Sequence, residues 1–106
     1  MQTSEPAVYT TGSWHPFPGQ EDAFLAAWEE FAGWAATLDG AGDAVLAGDV
    51  RAQGRYVSFM GWADMDAVRR WKTHPEFKER MSRVQQLVDK FAPTELDVVA
   101  RARDAS

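Results

Sequence analysis

The sequence predicts a single α+β domain with a four-stranded antiparallel sheet and two helical segments, in the order β-α-β-β-α-β. Three observations support this fold class. Four segments are rich in β-branched and aromatic residues, two segments carry apolar residues at helical spacing, and the two middle strand-like segments lie only two residues apart. The 106 residues, 45% of them hydrophobic, suit one globular domain. We expect residues 1–106 to form it, with a core of about residues 7–101.

The first part of the chain is predicted to form a strand and then a helix. Residues 7–15 favour a strand, which the following Pro-Phe-Pro-Gly cluster ends. Residues 20–38 place apolar side chains one helical turn apart, with two acidic residues in the first turn, where the helix dipole favours them. Gly40 is expected to follow the end of this helix.

The middle of the chain favours a hairpin. Residues 44–52 and 55–63 are strand-like, and the Gln-Gly pair between them is typical of a tight turn joining antiparallel neighbours. Asp49 interrupts the first of these strands. If it faces the interior it needs a partner, for which Arg51 and Arg55 are both candidates.

The last part of the chain is predicted to form a broken helical segment and a final strand. A short helix runs from Asp64 to Trp71, and Pro75 begins a longer one that Pro93 ends. The apolar stripe of the longer helix comprises Phe77, Met81, Val84, Val88 and Phe91. Residues 94–101 form the last strand. This order is that of the ferredoxin-like fold, in which the sheet carries its helices on one face.

The third strand is apolar on both of its faces. Alternation places Tyr56, Ser58, Met60 and Trp62 on one face and Val57 and Phe59 on the other. Since the helices cover only one face of the sheet, we expect a second copy of the chain to cover the other and form a homodimer. The alternative is an apolar face that stays open to solvent.

Composition excludes several classes of function. A net charge of −5 and scattered cations make nucleic acid an unsuitable partner, and no apolar run reaches membrane-spanning length. The first residues lack the basic and apolar regions of a secretory signal, so a cytoplasmic protein is expected. Cysteine is absent, His15 and His74 lie in no metal-ligand motif, and no glycine-rich nucleotide loop occurs. We therefore expect neither a metal nor a cofactor.

Two stretches, PGQEDAFLAAW at residues 18–28 and GWADMDAVRRWKTHPEF at residues 61–77, resemble the antibiotic biosynthesis monooxygenase family. The resemblance extends over residues 9–99 and implies a ferredoxin-like chain that forms a dimeric α/β barrel. It also implies a cofactor-independent monooxygenase acting on an aromatic small molecule, polyketide-like or phenolic. Because similar domains include haem-degrading enzymes and proteins without established activity, a non-catalytic dimeric ligand-binding or accessory protein is the alternative.

The aromatic residues supply the candidate site. Trp71 matches the position of a pocket tryptophan in that family, and Trp62 and Trp14, at strand ends, are candidates for the same substrate pocket. Tyr56 is a candidate for orienting a ligand through its hydroxyl. Each of them has core packing as the alternative. Core packing is the better explanation for Trp28, Phe31, Phe77 and Phe91.

His74 and Met81 complete the set of candidates. His74 is a candidate catalytic base because an imidazole can take a phenolic proton near neutral pH. The alternative is a structural role, since the residue before Pro75 is held out of the helix and often caps it. The resemblance places the haem-ligating histidine of the haem-degrading branch where this chain has Met81, which disfavours haem and makes Met81 a substrate-binding candidate.

Overall fold

The computed structural model describes residues 5–102 and confirms the predicted order of elements. These elements are β1 (Val8–Pro16), α1 (Glu21–Ala35), β2 (Ala41–Gly48), β3 (Tyr56–Trp62), α2 (Met65–Lys72), α3 (Phe77–Gln85) and β4 (Val88–Asp97). The second helical segment is divided near Pro75, as predicted. Asp64 caps α2 because its carboxylate accepts a hydrogen bond from the Ala67 N–H at 2.8 Å.

The four strands form one antiparallel sheet in the order β2-β3-β1-β4. Every neighbouring pair is antiparallel, which is the ferredoxin-like arrangement. In the centre of the sheet Thr10 lies opposite Met60, and Gly12 lies opposite Ser58 on one side and Pro93 on the other. This register places Thr10, Gly12 and Ser58 together on one face.

The helices all pack on that face. Buried side chains of β1 and β3, such as Trp14 and Trp62, share one core cluster with Phe24 of α1, Val68 of α2 and Val84 of α3. The structure thus resolves which face of β3 is which. The face of Tyr56, Ser58, Met60 and Trp62 meets the helices, and the face of Val57 and Phe59 is the open one.

The prediction for the end of the chain was wrong in its boundaries. α3 ends at Gln85, so Val88 and Phe91 belong to β4 and not to a helical stripe. Pro93 does not end a helix but lies within β4, opposite Gly12. A proline is tolerated there because β4 is an edge strand, where a missing N–H need not break the ladder.

The connection between β2 and β3 is longer than the predicted two-residue turn. β2 begins at Ala41, with an irregular register before Ala44, and ends at Gly48. Asp49 therefore lies in the connection and not in β2. Its carboxylate accepts a hydrogen bond from the Arg51 N–H at 2.8 Å and pairs with Arg55 at 2.8 Å. Gly54 has a φ of +87°, which the connection requires and which glycine adopts without strain.

No helix within residues 5–102 is long and apolar enough to cross a membrane.

Candidate functional site

A cavity of about 210 Å³ lies between the helices and the covered face of the sheet. Its walls are mainly aromatic, and its rings belong to Trp14, Trp28, Phe31, Trp71, Phe77 and Phe91. On the sheet side the lining includes Thr10, Ser58 and the backbone of Gly12, and the polar residues Lys72 and Gln85 line it from the helices. The cavity is therefore an apolar space with a few polar groups, the usual composition of a small-molecule site.

One end of the cavity is built around Trp71. Its ring stacks on Trp62 with a centroid separation of 4.8 Å and meets the edge of Phe77 at 5.1 Å. Phe31 of α1 lies 5.9 Å away. The Trp71 indole is therefore packed against aromatic rings from β3, α1 and α3.

The other end is built around Trp14, six residues further along β1 than Val8, the residue opposite Trp62. The ring of Trp14 stacks on Phe91 of β4 at 4.1 Å and contacts Phe24 of α1 at 5.6 Å. Trp14 and Trp62 thus mark the two ends of the pairing between β1 and β3 on the covered face of the sheet.

Two indole–hydroxyl hydrogen bonds connect these ends to the floor of the cavity. The Trp62 Nε1–H donates to Thr10 Oγ1 at 3.0 Å, and the Trp14 Nε1–H donates to Ser58 Oγ at 2.9 Å. Gly12 makes room for the second bond, because a Cβ there would lie 2.7 Å from Trp14 Nε1 and 3.0 Å from Ser58 Oγ. The absence of a side chain at this position is thus a local requirement of the site.

The Trp71 indole, in contrast, has no hydrogen-bond acceptor among the described residues. The residue is 6% exposed, and its indole nitrogen is fully buried. Leaving a buried donor unsatisfied costs about 1–3 kcal/mol.

The predicted site residues divide into two groups. Trp14, Trp71 and Met81 line the cavity. Trp62 and Tyr56 are not among the described lining residues. Trp62 stacks on the Trp71 ring, and Tyr56 packs against Phe24 with a centroid separation of 5.4 Å.

His74 is not among the residues that line the cavity. Its Nδ1 accepts a hydrogen bond from the Glu76 N–H at 3.0 Å, and its ring meets Trp34 edge-on at 5.1 Å. An accepting Nδ1 means that a neutral ring carries its proton on Nε2. To take a proton, His74 would have to give up the bond that holds the start of α3, and its role as a base stays a prediction.

Sequence reasoning favoured core packing over a pocket role for four of the lining aromatics. The structure places Trp28, Phe31, Phe77 and Phe91 in the cavity wall as well. The inward faces of the helices both pack the core and line the cavity, because the cavity is a space within the core that side chains leave unfilled. Helical spacing identifies the inward face but not the part of it that borders the space.

The charged groups near the cavity are few. Lys72 is the one titratable residue among the described lining residues, and its Nζ pairs with Glu95 of β4 at 2.6 Å. Within residues 5–102, no three His, Asp or Glu side chains are grouped so that they could hold a metal ion.

Comparisons with known proteins agree with this architecture. A variant of SnoaB, a cofactor-independent oxygenase from Streptomyces nogalater, superposes with a TM-score of 0.79 at 19% identity, over 93% of this chain and 97% of that one. Rv0793 from Mycobacterium tuberculosis superposes with a TM-score of 0.73 at 21% identity, over 93% and 98%. A search of curated protein sequences finds no match. The model of the antibiotic biosynthesis monooxygenase family matches residues 7–83, and the chain therefore belongs to that family.

Proposed function

We propose that this protein is a cofactor-independent monooxygenase that acts on an aromatic phenol. The observation that carries the proposal is the aromatic cavity between sheet and helices, which Trp14 and Trp71 both line. Its similarity in fold to SnoaB, a cofactor-independent oxygenase, supports the same reaction class. Chemistry of this kind asks the protein for a dry, shaped space more than for reactive side chains.

The size of the cavity selects the substrate within this class. An engineered protein cavity of about 150 Å³ binds benzene. The cavity here, about 210 Å³, is larger by the space of roughly one further fused ring. We therefore take bicyclic phenols as the substrates, for which 1-naphthol is the probe. A haem is much larger than the bicyclic ring that a cavity of this volume holds.

The proposed reaction balances without an added reductant. 1-Naphthol loses its phenolic proton, and the resulting anion forms a C–O bond to dioxygen at the ring carbon para to its oxygen. The para C–H proton is then lost, the O–O bond breaks and water leaves. The products are 1,4-naphthoquinone and one water molecule, so the substrate supplies all four electrons that reduce dioxygen. His74, which lies away from the lining, would have to receive the phenolic proton through water.

Oxygen uptake in the presence of 1-naphthol tests the proposal. We expect uptake that depends on the protein, and one ¹⁸O atom from ¹⁸O₂ in each 1,4-naphthoquinone formed. Ala32→Leu adds volume to a lining residue of α1 and should reduce uptake at least tenfold, whereas Ala26→Leu, on the exposed side of the same helix, should not. His74→Ala reports separately on the base.

Equal uptake in the Ala32→Leu and Ala26→Leu variants would contradict the proposed site. Binding of 1-naphthol without any uptake would instead favour the alternative of a non-catalytic ligand-binding protein.

We also propose that two copies of the chain pair through the open faces of their sheets. That face exposes four large apolar side chains, Tyr9 at 36%, Val45 at 55%, Phe59 at 43% and Leu96 at 48%. Val45 lies opposite Phe59 and Tyr9 lies opposite Leu96, so together they form one patch. An exposed apolar patch of this extent on a sheet is typical of an interface.

Sedimentation equilibrium tests the pairing. Phe59→Asp places a charge in the middle of the patch and should convert a dimer to a monomer. Phe17→Asp, at a phenylalanine 42% exposed in the connection after β1, is the control and should leave the dimer intact. A monomeric wild-type protein, or a Phe59→Asp variant that stays dimeric, would refute this interface.

A further inference from the structure

The hydroxyl groups of Thr10 and Ser58 are oriented by the tryptophans that bind them. An indole N–H can only donate, so each hydroxyl oxygen must accept from its tryptophan and direct its own proton elsewhere. Neither hydroxyl donates to any residue between 5 and 102. Since both residues line the cavity, each presents an unused donor at its floor.

The positions of these donors match a ring that carries two oxygens. Thr10 lies opposite Met60 and Ser58 lies opposite Gly12, so the two hydroxyl residues are diagonal neighbours on adjacent strands. Diagonal neighbours are separated by about 7–8 Å. Gly12, between them, adds no side chain that would block a ring from lying across both.

Few side chains of the cavity could accept hydrogen bonds from a ligand. The described lining residues include no carboxylate or imidazole, and the side-chain amide of Gln85 can donate as well as accept. A ligand that brings acceptors is complementary to the Thr10 and Ser58 hydroxyls, and a plain hydrocarbon leaves both of them unpaired.

We infer that Thr10 and Ser58 are specificity-determining residues that select a bicyclic ring with oxygen acceptors at para positions. This inference rests on the proposed function for the identity of the site, because the phenol oxygen and the newly added oxygen of the quinone occupy such positions. The two hydroxyls hold one oxygen each. They hold it as hydrogen-bond donors and take no part in proton transfer.

Calorimetric titration with 1,4-naphthoquinone and with naphthalene, which has the same rings and no oxygen, separates the donors from general apolar packing. The chain has no cysteine that the quinone could alkylate. Thr10→Val and Ser58→Ala should each weaken the binding of the quinone about three- to tenfold, because each variant loses one neutral hydrogen bond to it. Each should change the affinity for naphthalene less than twofold. Thr10→Ser keeps the hydroxyl and should keep the affinity.

The control is Ser13→Ala, which removes a hydroxyl from the same strand on the open face and should leave both affinities unchanged. Equal losses for quinone and naphthalene in the Thr10 and Ser58 variants would overturn the inference, as would unchanged quinone affinity in both. If 1-naphthol is not oxidised but the two ligands are still discriminated in this way, the proposed reaction fails and the assignment of the two hydroxyls stands.

Discussion

Replacing Gly12 with alanine tests the geometry of the site most directly. The backbone of Gly12 is ordinary strand, so alanine meets no torsional penalty there. Its Cβ would nevertheless lie 2.7 Å from Trp14 Nε1, 3.0 Å from Phe91 Cε1 and 3.0 Å from Ser58 Oγ. Since carbon atoms do not approach so closely, the indole of Trp14 must move away from Ser58 and from its stacking partner.

The magnitude follows from the contacts that are lost. Leaving the buried Trp14 N–H without an acceptor costs about 1–3 kcal/mol, and overpacking costs a similar amount. The lower conformational entropy of alanine in a strand offsets about 0.5–1 kcal/mol. We expect Gly12→Ala to lower the free energy of unfolding by about 2–4 kcal/mol, and the melting temperature by about 10 °C or more.

Urea unfolding followed by tryptophan fluorescence measures this change. Gly33→Ala is the matched control, because nothing lies within 4 Å of a Cβ built at Gly33 in the interior of α1. Alanine in a helix should stabilise there by about 0.5–1 kcal/mol, so the two variants should shift in opposite directions. A Gly12→Ala variant as stable as the wild type, with unchanged 1-naphthol binding, would refute the close packing of Trp14 on Ser58.

Two further predictions concern single side chains. Trp62→Phe and Trp71→Phe remove the same atoms, but of the two indoles only that of Trp62 donates a hydrogen bond, to Thr10. In chemical denaturation we expect Trp62→Phe to lower the free energy of unfolding by about 1 kcal/mol more than Trp71→Phe does. Equal losses in the two variants would contradict this. The Arg51 N–H and the Arg55 guanidinium lower the pKa of Asp49 in the folded protein. The carboxylate therefore stabilises the fold at any pH above the pKa that Asp49 has in the unfolded chain, and this stabilisation is lost as the pH falls through the lower pKa of the folded state. The advantage of wild type over Asp49→Asn should therefore be full at neutral pH and shrink below about pH 4, and an advantage independent of pH would count against the pairing.

The strand and helix order was predictable because periodicity reports burial directly. Alternation in β3 indicated two apolar faces, and the contacts of Met60 and Trp62 then showed which one meets the helices. The boundary between α3 and β4 was not predictable in the same way. Val84 of α3 and Val88 and Phe91 of β4 keep a helical spacing across the boundary between the two elements. All three side chains are buried or half-buried. Spacing alone does not reveal the change of element.

The site was predictable only in part. Trp71 was a candidate because it matches a pocket tryptophan of the family, and Trp14 because it stands at the end of its strand; both line the cavity. The polar floor escaped sequence reasoning, because Thr10 and Ser58 are ordinary strand residues whose orientation depends on hydrogen bonds between residues 52 and 44 positions apart. The one signal of this polar floor in the sequence is that a threonine and a serine occupy strand positions that face the helices.

The same two hydrogen bonds also help to decide which face of the sheet becomes the site. Ser58 and Phe59 are neighbours in β3, yet one lines the cavity and the other belongs to the open apolar patch. A slip of one residue between β1 and β3 would exchange them, placing Phe59 in the cavity and Ser58 on the open face. The Trp62–Thr10 and Trp14–Ser58 bonds each join β1 to β3 near opposite ends of their pairing, and both would break in the slipped register. They therefore add to the burial of Val8, Trp14, Met60 and Trp62 in favouring the observed register, and they orient the two hydroxyls as well.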